Sequence, residues 1–220
     1  MRVFLTGGTG LLGSHLAHEL RRHGCEVVAL HRRDSGTLFL EENECELVHG
    51  DIRDDAAILA PMMDGCSHLV HGAALVYAGG SWPQVRAVNV DGTRNVLTAA
   101  QMAGVQHAVY LSSVAVYGDI PGPADETKPT DLDLPPEDLY ARSKREAEKV
   151  ARQVEEKWNF RAVGNSSTPY RRSRGLLDLE GINPASNFNI VEFQGRQVDH
   201  LPALNFNTLL IFKPNIRICS

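Results

Sequence analysis

Short apolar runs alternate with segments of helical periodicity over residues 1–158. Five runs have the composition of buried strands and end at glycine or polar residues: 3–6, 27–30, 46–48, 68–70 and 107–111. Apolar residues recur at helical spacing in four further segments, at 11–20, 56–63, 85–102 and 137–158. Strands that alternate with helices are typical of a parallel sheet covered on both faces. The pattern therefore predicts an α/β fold with a doubly wound parallel sheet and right-handed crossovers.

The chain changes character after Trp158. Asparagine is rare before that residue and frequent after it, alanine becomes sparse, and the charge balance turns basic. No clear amphipathic helix is visible in 159–220, and only short runs such as 208–212 have the composition of strands. This segment is either a small irregular lobe or a tail that does not continue the domain, and the pattern favours the second. We therefore expect one domain over residues 1–158 and a short, atypical C-terminal segment over residues 159–220.

Composition and charge argue against several function classes. The net charge of -5 gives no electrostatic case for binding nucleic acid or an anionic membrane surface. No apolar run approaches the ~20 residues that a membrane span requires, and no signal peptide precedes the first strand. The cysteines lack metal-ligand spacing and are expected to be free thiols; they are Cys25, Cys45, Cys66 and Cys219. We expect a cytoplasmic protein with no metal site, no nucleic-acid partner and no membrane partner.

A glycine-rich turn follows the first strand and opens the first helix. It reads Thr-Gly-Gly-Thr-Gly-Leu-Leu-Gly over residues 6–13. In this context the backbone N–H groups and the helix dipole point at an anion. Gly7 permits the sharp turn, Gly10 lets a pyrophosphate approach the backbone, and Gly13 allows close helix–strand packing.

The spacing of this turn is Gly-x-x-Gly-x-x-Gly, and not the commoner Gly-x-Gly-x-x-Gly. It predicts a dinucleotide site of the Rossmann type, and the alternative is a purely structural turn. The candidate cofactor contacts in the turn are Gly7, Gly10, Leu11, Leu12 and Gly13.

The residues after the second strand bear on the choice of cofactor. His31 occupies the position where an acidic residue would bind the ribose hydroxyls of NAD, and Arg32 and Arg33 follow it. Guanidinium groups match the oxygens of a 2′-phosphate, so we predict that NADP is preferred over NAD. The alternative is a solvated basic loop.

A phenol and an ammonium lie one helical turn apart in the segment 137–158. Tyr140 and Lys144 are spaced i, i+4, which places them on the same helix face. Tyrosine ordinarily titrates near ~10, and a nearby positive charge favours its ionised form. Tyr140 is therefore a candidate acid–base group, and the alternative is an exposed helix face without function.

Residues 1 to about 158 resemble the extended short-chain dehydrogenase/reductase family, also called NAD-dependent epimerase/dehydratases. The glycine turn and the Tyr-x-x-x-Lys pair both belong to this resemblance. Four further segments match the family in order and spacing: 50–53, 71–74, 89–93 and 112–118.

The resemblance implies a role for each matching position. Asp51 is expected to contact the adenine amino group and Ile52 to lie beside the ring. Ala73 lies where the backbone approaches the nicotinamide-side ribose, and Asn89 supports the backbone of the active site.

For catalysis the family pattern implies three side chains. Ser113 corresponds to the hydroxyl that hydrogen-bonds the substrate oxygen. Tyr140 is the acid–base group, and Lys144 favours the phenolate and holds the ribose hydroxyls. The implied activity is that of an NAD(P)-dependent oxidoreductase or epimerase/dehydratase acting on a nucleotide sugar or a small carbonyl compound. Relatives often pair through helices such as 85–102 and 137–158, which implies a possible homodimer.

The resemblance weakens after Trp158. Pro169 falls near the expected distance from Lys144, but the long apolar strand is missing, and nothing from Arg171 onward matches the family. A premature end, a frame change or an alternative exon would each produce such a chain, and the coding DNA would distinguish them. The alternative function is therefore a non-catalytic or truncated dinucleotide-binding module that lacks a competent substrate site.

Overall fold

The computed structural model describes residues 1–76, 80–118, 134–135, 137–158, 172–173 and 190–194. These residues contain one sheet, whose strands are β1 Arg2–Thr6, β2 Glu26–His31, β3 Glu46–His49, β4 His68–His71, β5 His107–Leu111, β6 Arg172–Ser173 and β7 Ile190–Gln194. The spatial order is β3-β2-β1-β4-β5-β7-β6. Neighbours among β1 to β5 are parallel, whereas β7 is antiparallel to β5 and β6. The predicted five-stranded parallel sheet is confirmed.

Helices connect the parallel strands. They are α1 Leu11–Arg22, α2 Leu38–Glu42, α3 Ala56–Leu59, α4 Trp82–Arg86, α5 Gly92–Met102 and α6 Leu139–Trp158. A π-helical turn over Ala87–Asp91 joins α4 to α5, and 3-10 turns lie at Ala60–Met63 and Val114–Tyr117. The start of α3 is fixed by the Asp55 carboxylate, which accepts a hydrogen bond from the Ala57 N–H at 2.8 Å.

The sheet buries a core on each of its two faces because successive residues of a strand point to opposite sides. On one face Phe4 packs in a cluster with Leu69 and with Val96 of α5. On the other face Val3 packs in a cluster that includes Leu16 of α1. The doubly wound arrangement follows directly from this alternation. No helix of the described part of the chain is both long and apolar enough to cross a membrane.

Some elements differ from the prediction. The long helix expected at 85–102 begins earlier, at Trp82, and is interrupted by the π turn. The short helix α2 has no counterpart in the apolar pattern, since only Leu40 of its five residues is buried. The antiparallel strand β7 is likewise not predicted. Most of the loop expected at 118–136, the strand expected at 208–212, Pro169 and Cys219 lie outside the described residues.

Candidate active site

The carboxyl ends of three neighbouring strands meet at the middle of the sheet. Thr6 at the end of β1 is in register with His71 of β4, and His71 is in register with Tyr110 of β5. The strand order reverses here, because β2 lies on one side of β1 and β4 on the other. Open α/β sheets bind ligands at such a reversal. The glycine turn, the loop 72–75 and the segment after β5 therefore line one crevice.

The glycine turn is pressed against the loop that follows β4. Gly7 has a φ of 78°, in the left-handed region, and a Cβ there would lie 2.6 Å from the backbone nitrogen of Ala73. A Cβ on Gly13 would lie 2.6 Å from the carbonyl carbon of Gly7. Both approaches are closer than a side chain allows, so the fold itself requires glycine at these two positions.

Gly10 is different, because nothing in the fold requires a glycine there. Its φ of -88° suits any residue, and a Cβ would meet Gly7 O at 3.4 Å, an ordinary contact, with no other atom of the described residues within 4 Å. Gly10 is the N-cap of α1, with no side-chain cap and no acidic residue in the first turn. The first N–H groups of α1 therefore have no side-chain cap, and this open helix end suits an anion such as a pyrophosphate.

The Asp51 carboxylate is held by Arg53, a residue to which the family pattern gives no role. The Arg53 backbone N–H and Nε donate to Oδ1 of Asp51 at 2.9 and 3.0 Å, and a terminal nitrogen of Arg53 donates to Oδ2 at 2.6 Å. These bonds hold the pKa of the Asp51 carboxyl below its usual range. A carboxylate oxygen accepts more than one hydrogen bond, so Oδ2 retains capacity for a ligand donor.

Arg32, the first residue of the basic pair after β2, lies near this carboxylate. Arg32 and Arg33 are both exposed, and the positive charge of Arg32 contributes to the lowered pKa of Asp51. Ile52 is buried against Gly92, where a Cβ would lie 2.8 Å from its Cδ1 atom. The charge of Arg32 and the guanidinium of Arg53 therefore both act on the Asp51 carboxylate.

The Tyr140 phenol and the Ser113 hydroxyl share a hydrogen bond. Tyr140 lies in the first turn of α6, where the Asp138 carboxylate accepts a hydrogen bond from the Ala141 N–H at 2.9 Å. Ser113 Oγ also accepts a hydrogen bond from the Ala115 N–H at 3.2 Å, which fixes its position after β5. The structure thus brings together the two groups that the sequence predicts to face a substrate oxygen.

Burial raises the pKa of the Tyr140 phenol, and the hydrogen bond from Ser113 opposes the shift. The expectation that Lys144 lowers this pKa is not met. Lys144 is 3% exposed, and its ammonium donates to the Leu111 carbonyl at 2.8 Å and lies 3.5 Å from the Tyr110 hydroxyl. The lysine charge is thus directed at β5, so desolvation dominates the titration of the phenol.

Lys144 has an acidic neighbour that sequence reasoning missed. Burial lowers the pKa of Lys144 to about 8, and the Glu148 carboxylate opposes this shift. Glu148 is itself buried and accepts a hydrogen bond from the Ser112 hydroxyl at 2.5 Å. The signal was present in the sequence, because Glu148 follows Lys144 at i+4 on the same face of α6.

Asn89 connects the loop after β4 to the helix that carries Tyr140. Its Oδ1 accepts a hydrogen bond from the Leu75 N–H at 2.7 Å, and its Nδ2 donates to the Leu75 carbonyl at 3.0 Å. The same amide nitrogen donates to the Ser143 hydroxyl at 2.8 Å. Asn89 therefore supports backbone at the crevice, in agreement with the role that the family pattern implies.

Thiols and metal ligands do not contribute to this crevice within the described residues. Cys25, Cys45 and Cys66 are free and buried, and burial raises the pKa of each thiol. The described ranges contain no group of three or more histidine, cysteine or acidic side chains that could hold a metal ion.

Comparisons with known proteins agree with the motifs. A model of the NAD dependent epimerase/dehydratase family matches residues 3–169. The chain is 34% identical over 213 residues to sterol demethylase protein B of Methylococcus capsulatus, covering 96% of this chain and 57% of that protein. It is 39% identical over 158 residues to a 3 beta-hydroxysteroid dehydrogenase/Delta 5-->4-isomerase of Mycobacterium tuberculosis, covering 67% of this chain and 41% of that protein.

A solved structure shows the same fold. The UDP-glucose-4-epimerase of Stenotrophomonas maltophila, determined with bound NAD and formylated UDP-arabinopyranose, superposes with a TM-score of 0.64 at 31% sequence identity. The match covers 71% of this chain and 49% of that one. The chain thus spans about half the length of the relatives it matches.

Proposed function

Because the chain belongs to the NAD dependent epimerase/dehydratase family, we propose that it binds a nicotinamide dinucleotide and catalyses hydride transfer on a small hydroxyl or carbonyl compound. A nucleotide sugar and a simple carbonyl compound are the two substrate classes. One observation carries the proposal: the open N-terminus of α1 lies at the same sheet edge as the hydrogen-bonded pair Ser113 and Tyr140. The edge thus offers an anion site beside a proton donor.

The residues at this edge suit a dinucleotide. The first N–H groups of α1 would bind the pyrophosphate, with Gly10 leaving room for it. The Ala73 backbone would face the nicotinamide-side ribose, and Asp51 the adenine. The Lys144 ammonium, which is bonded to the Leu111 carbonyl, would reach that ribose only with a remaining N–H. The nicotinamide, when bound, supplies the hydride donor or acceptor.

Proton transfer would fall to Tyr140. Its raised pKa keeps the phenol protonated at neutral pH, which is the form needed to donate a proton to a carbonyl oxygen. The Ser113 hydroxyl has a single proton, so it would donate to the same substrate oxygen in place of its hydrogen bond to the phenol. A protonated phenol is the form that suits the reductive direction.

The direct test is turnover by the full chain. We would incubate it with NADPH or NADH and a panel of aldehydes, ketones and nucleotide sugars, and follow the absorbance of the reduced nicotinamide and, for the sugars, the product by chromatography. Consumption of cofactor or conversion of a sugar supports the proposal. Absence of conversion across the panel, with dinucleotide binding intact, contradicts catalysis by this chain.

That second result would favour a non-catalytic dinucleotide-binding module. Binding without turnover separates the module from the enzyme.

The cofactor preference gives a further prediction. We propose that Arg32 and Arg33 bind a 2′-phosphate, so the double variant Arg32→Ala/Arg33→Ala should bind NADPH at least about tenfold more weakly and NADH within about twofold of wild type. A charge-assisted hydrogen bond contributes roughly 1.5–3 kcal/mol, and about 1.4 kcal/mol corresponds to a tenfold change in affinity. Nicotinamide fluorescence titration measures both constants.

Lys149→Ala is the control for that prediction, since Lys149 is an exposed cation on α6 away from β2. It should leave both affinities unchanged. Equal losses for NADPH and NADH in the double variant, or a wild-type chain that prefers NADH, would overturn the assignment of Arg32 and Arg33.

A further inference from the structure

A continuous chain of buried hydrogen bonds runs behind the glycine turn. The His71 side chain is wholly buried, with Nδ1 2.6 Å from Thr6 Oγ1 and Nε2 3.0 Å from Thr93 Oγ1. Thr6 and Thr93 are also buried, at 0% and 1% exposed. His71 and Thr93 fall inside the matched segments, but the proposed chemistry gives neither of them a role.

The donor and acceptor of each hydrogen bond between Thr6, His71 and Thr93 follow from the single proton on each hydroxyl. The Thr93 hydroxyl donates its single proton to the Asn89 carbonyl at 2.7 Å, so it can only accept from His71 Nε2–H. His71 Nδ1 then carries no proton and accepts from the Thr6 hydroxyl. Thr6 Oγ1 in turn accepts a hydrogen bond from the Ala73 N–H at 3.3 Å. The chain is therefore consistent only with the Nε2–H tautomer of His71.

The surroundings of His71 keep the imidazole neutral. Burial, and to a smaller extent the charge of Lys144, lower the pKa of His71 to about 3. Its ring stacks on the Tyr110 ring, with centroids 5.7 Å apart. A neutral ring in one fixed tautomer has one N–H donor and one acceptor nitrogen. Nε2–H donates to Thr93, and Nδ1 accepts from Thr6.

The two ends of this hydrogen-bond chain contact backbone groups at the crevice. One end fixes the Ala73 N–H, and the other fixes the Asn89 carbonyl, whose own side chain holds both backbone groups of Leu75 and the Ser143 hydroxyl. Loop 72–75 is thereby held between β1 and α6 by partly buried polar bonds. Side chains locked by such networks are a means of preorganising a site.

We propose that His71, fixed as the Nε2–H tautomer between Thr6 and Thr93, is a positioning residue that sets loop 72–75 for the nicotinamide end of the dinucleotide. The proposal rests on the proposed function for the identity of the ligand. The hydrogen-bond chain itself does not depend on it, so the two can fail separately.

The first experiment tests the hydrogen-bond chain Thr6–His71–Thr93, called the relay below, without any ligand. Nitrogen-15 NMR of the histidine side chains should show His71 as the Nε2–H tautomer, unchanged between neutral and mildly acidic pH. Amide exchange should be slow at Ala73 and Leu75, faster in Thr93→Val, and close to wild type in Thr93→Ser, which keeps the hydroxyl. An Nδ1–H tautomer, or equal exchange in the valine and serine variants, would overturn the relay.

The second experiment tests its consequence for binding. Thr93→Val should weaken NADPH binding roughly tenfold, the effect expected from one lost hydrogen bond in a preorganised site, and Thr93→Ser should restore it to within about twofold. Ser67→Ala is the matched control, because Ser67 bonds His68 Nδ1 at 2.8 Å at the opposite end of β4. It should change the melting temperature without changing the dissociation constant.

The outcomes separate the two claims. If wild type binds neither NADPH nor NADH, the proposed function fails, while tautomer and exchange still decide the relay. If wild type binds and Thr93→Val binds equally well, or if Ser67→Ala weakens binding as much, the positioning role of His71 is wrong.

Discussion

Replacing Tyr140 with phenylalanine is expected to abolish measurable turnover while leaving NADPH affinity within about twofold of wild type. The phenol is the group that would exchange a proton with the substrate oxygen, and positioned proton transfer is worth roughly 10²–10⁴ in rate. The aromatic ring itself remains, so the packing of the first turn of α6 should persist. Initial rates on a substrate accepted by wild type and fluorescence titration with NADPH measure the two effects.

Tyr117→Phe provides the control for this substitution. Tyr117 is a buried tyrosine in the 3-10 turn after β5, and its replacement by phenylalanine also removes one phenolic hydroxyl. After correction for the folded fraction, its rate should stay close to wild type. If Tyr140→Phe keeps the wild-type rate, Tyr140 is not the acid–base group and the proposed mechanism is wrong.

Gly13→Ala is expected to cost about 3 kcal/mol or more of the free energy of unfolding. The added Cβ would lie 2.6 Å from the carbonyl carbon of Gly7 and 2.9 Å from the Cα of Gly8, which are both backbone atoms of the glycine turn. Overpacking typically costs roughly 1–3 kcal/mol, and backbone has less freedom to move away than a side chain. At roughly 2–4 °C per kcal/mol for a chain of this size, the melting temperature should fall by about 6 °C or more.

Urea titration followed by circular dichroism measures this loss, with Gly36→Ala as the matched control. A Cβ on Gly36 meets no atom of the described residues within 4 Å, and its φ is not in the left-handed region. Gly36→Ala should therefore leave the unfolding midpoint unchanged. Equal midpoints for Gly13→Ala and wild type would contradict the close approach of α1 to the turn.

The fold could be predicted from the sequence where burial dictates the pattern. Strands β1 to β5 are apolar runs because they are covered on both faces, and the order of β1, the glycine turn and α1 follows from local chemistry. Helix α2 could not be predicted, because Leu38 and Phe39 are exposed and only Leu40 of its five residues is buried in the core. The π turn between α4 and α5 has no local signature.

The site could be predicted only as far as its residues act within one element. The spacing of Tyr140 and Lys144 places both on one face of α6, but the ammonium bonds the Leu111 carbonyl because of how α6 packs on β5. The partners of His71 come from β1 and α5, so only the strand register and the helix packing reveal them. The spacing of residues along the sequence does not predict contacts between elements that are distant in the chain.

Every role proposed for the residues of this crevice depends on a dinucleotide that binds at the open N-terminus of α1. The measurement that tests it most directly is fluorescence titration of the full chain and of Gly10→Ala with NADPH and NADH, alongside their melting temperatures. Gly10 has a φ of -88° and room for a Cβ, so the variant should fold, with a slightly lower melting temperature because alanine is a poorer N-cap than glycine. We predict that wild type binds and that the folded Gly10→Ala variant binds at least about tenfold more weakly. Equal affinities, or no binding by wild type, would contradict dinucleotide binding at this end of α1.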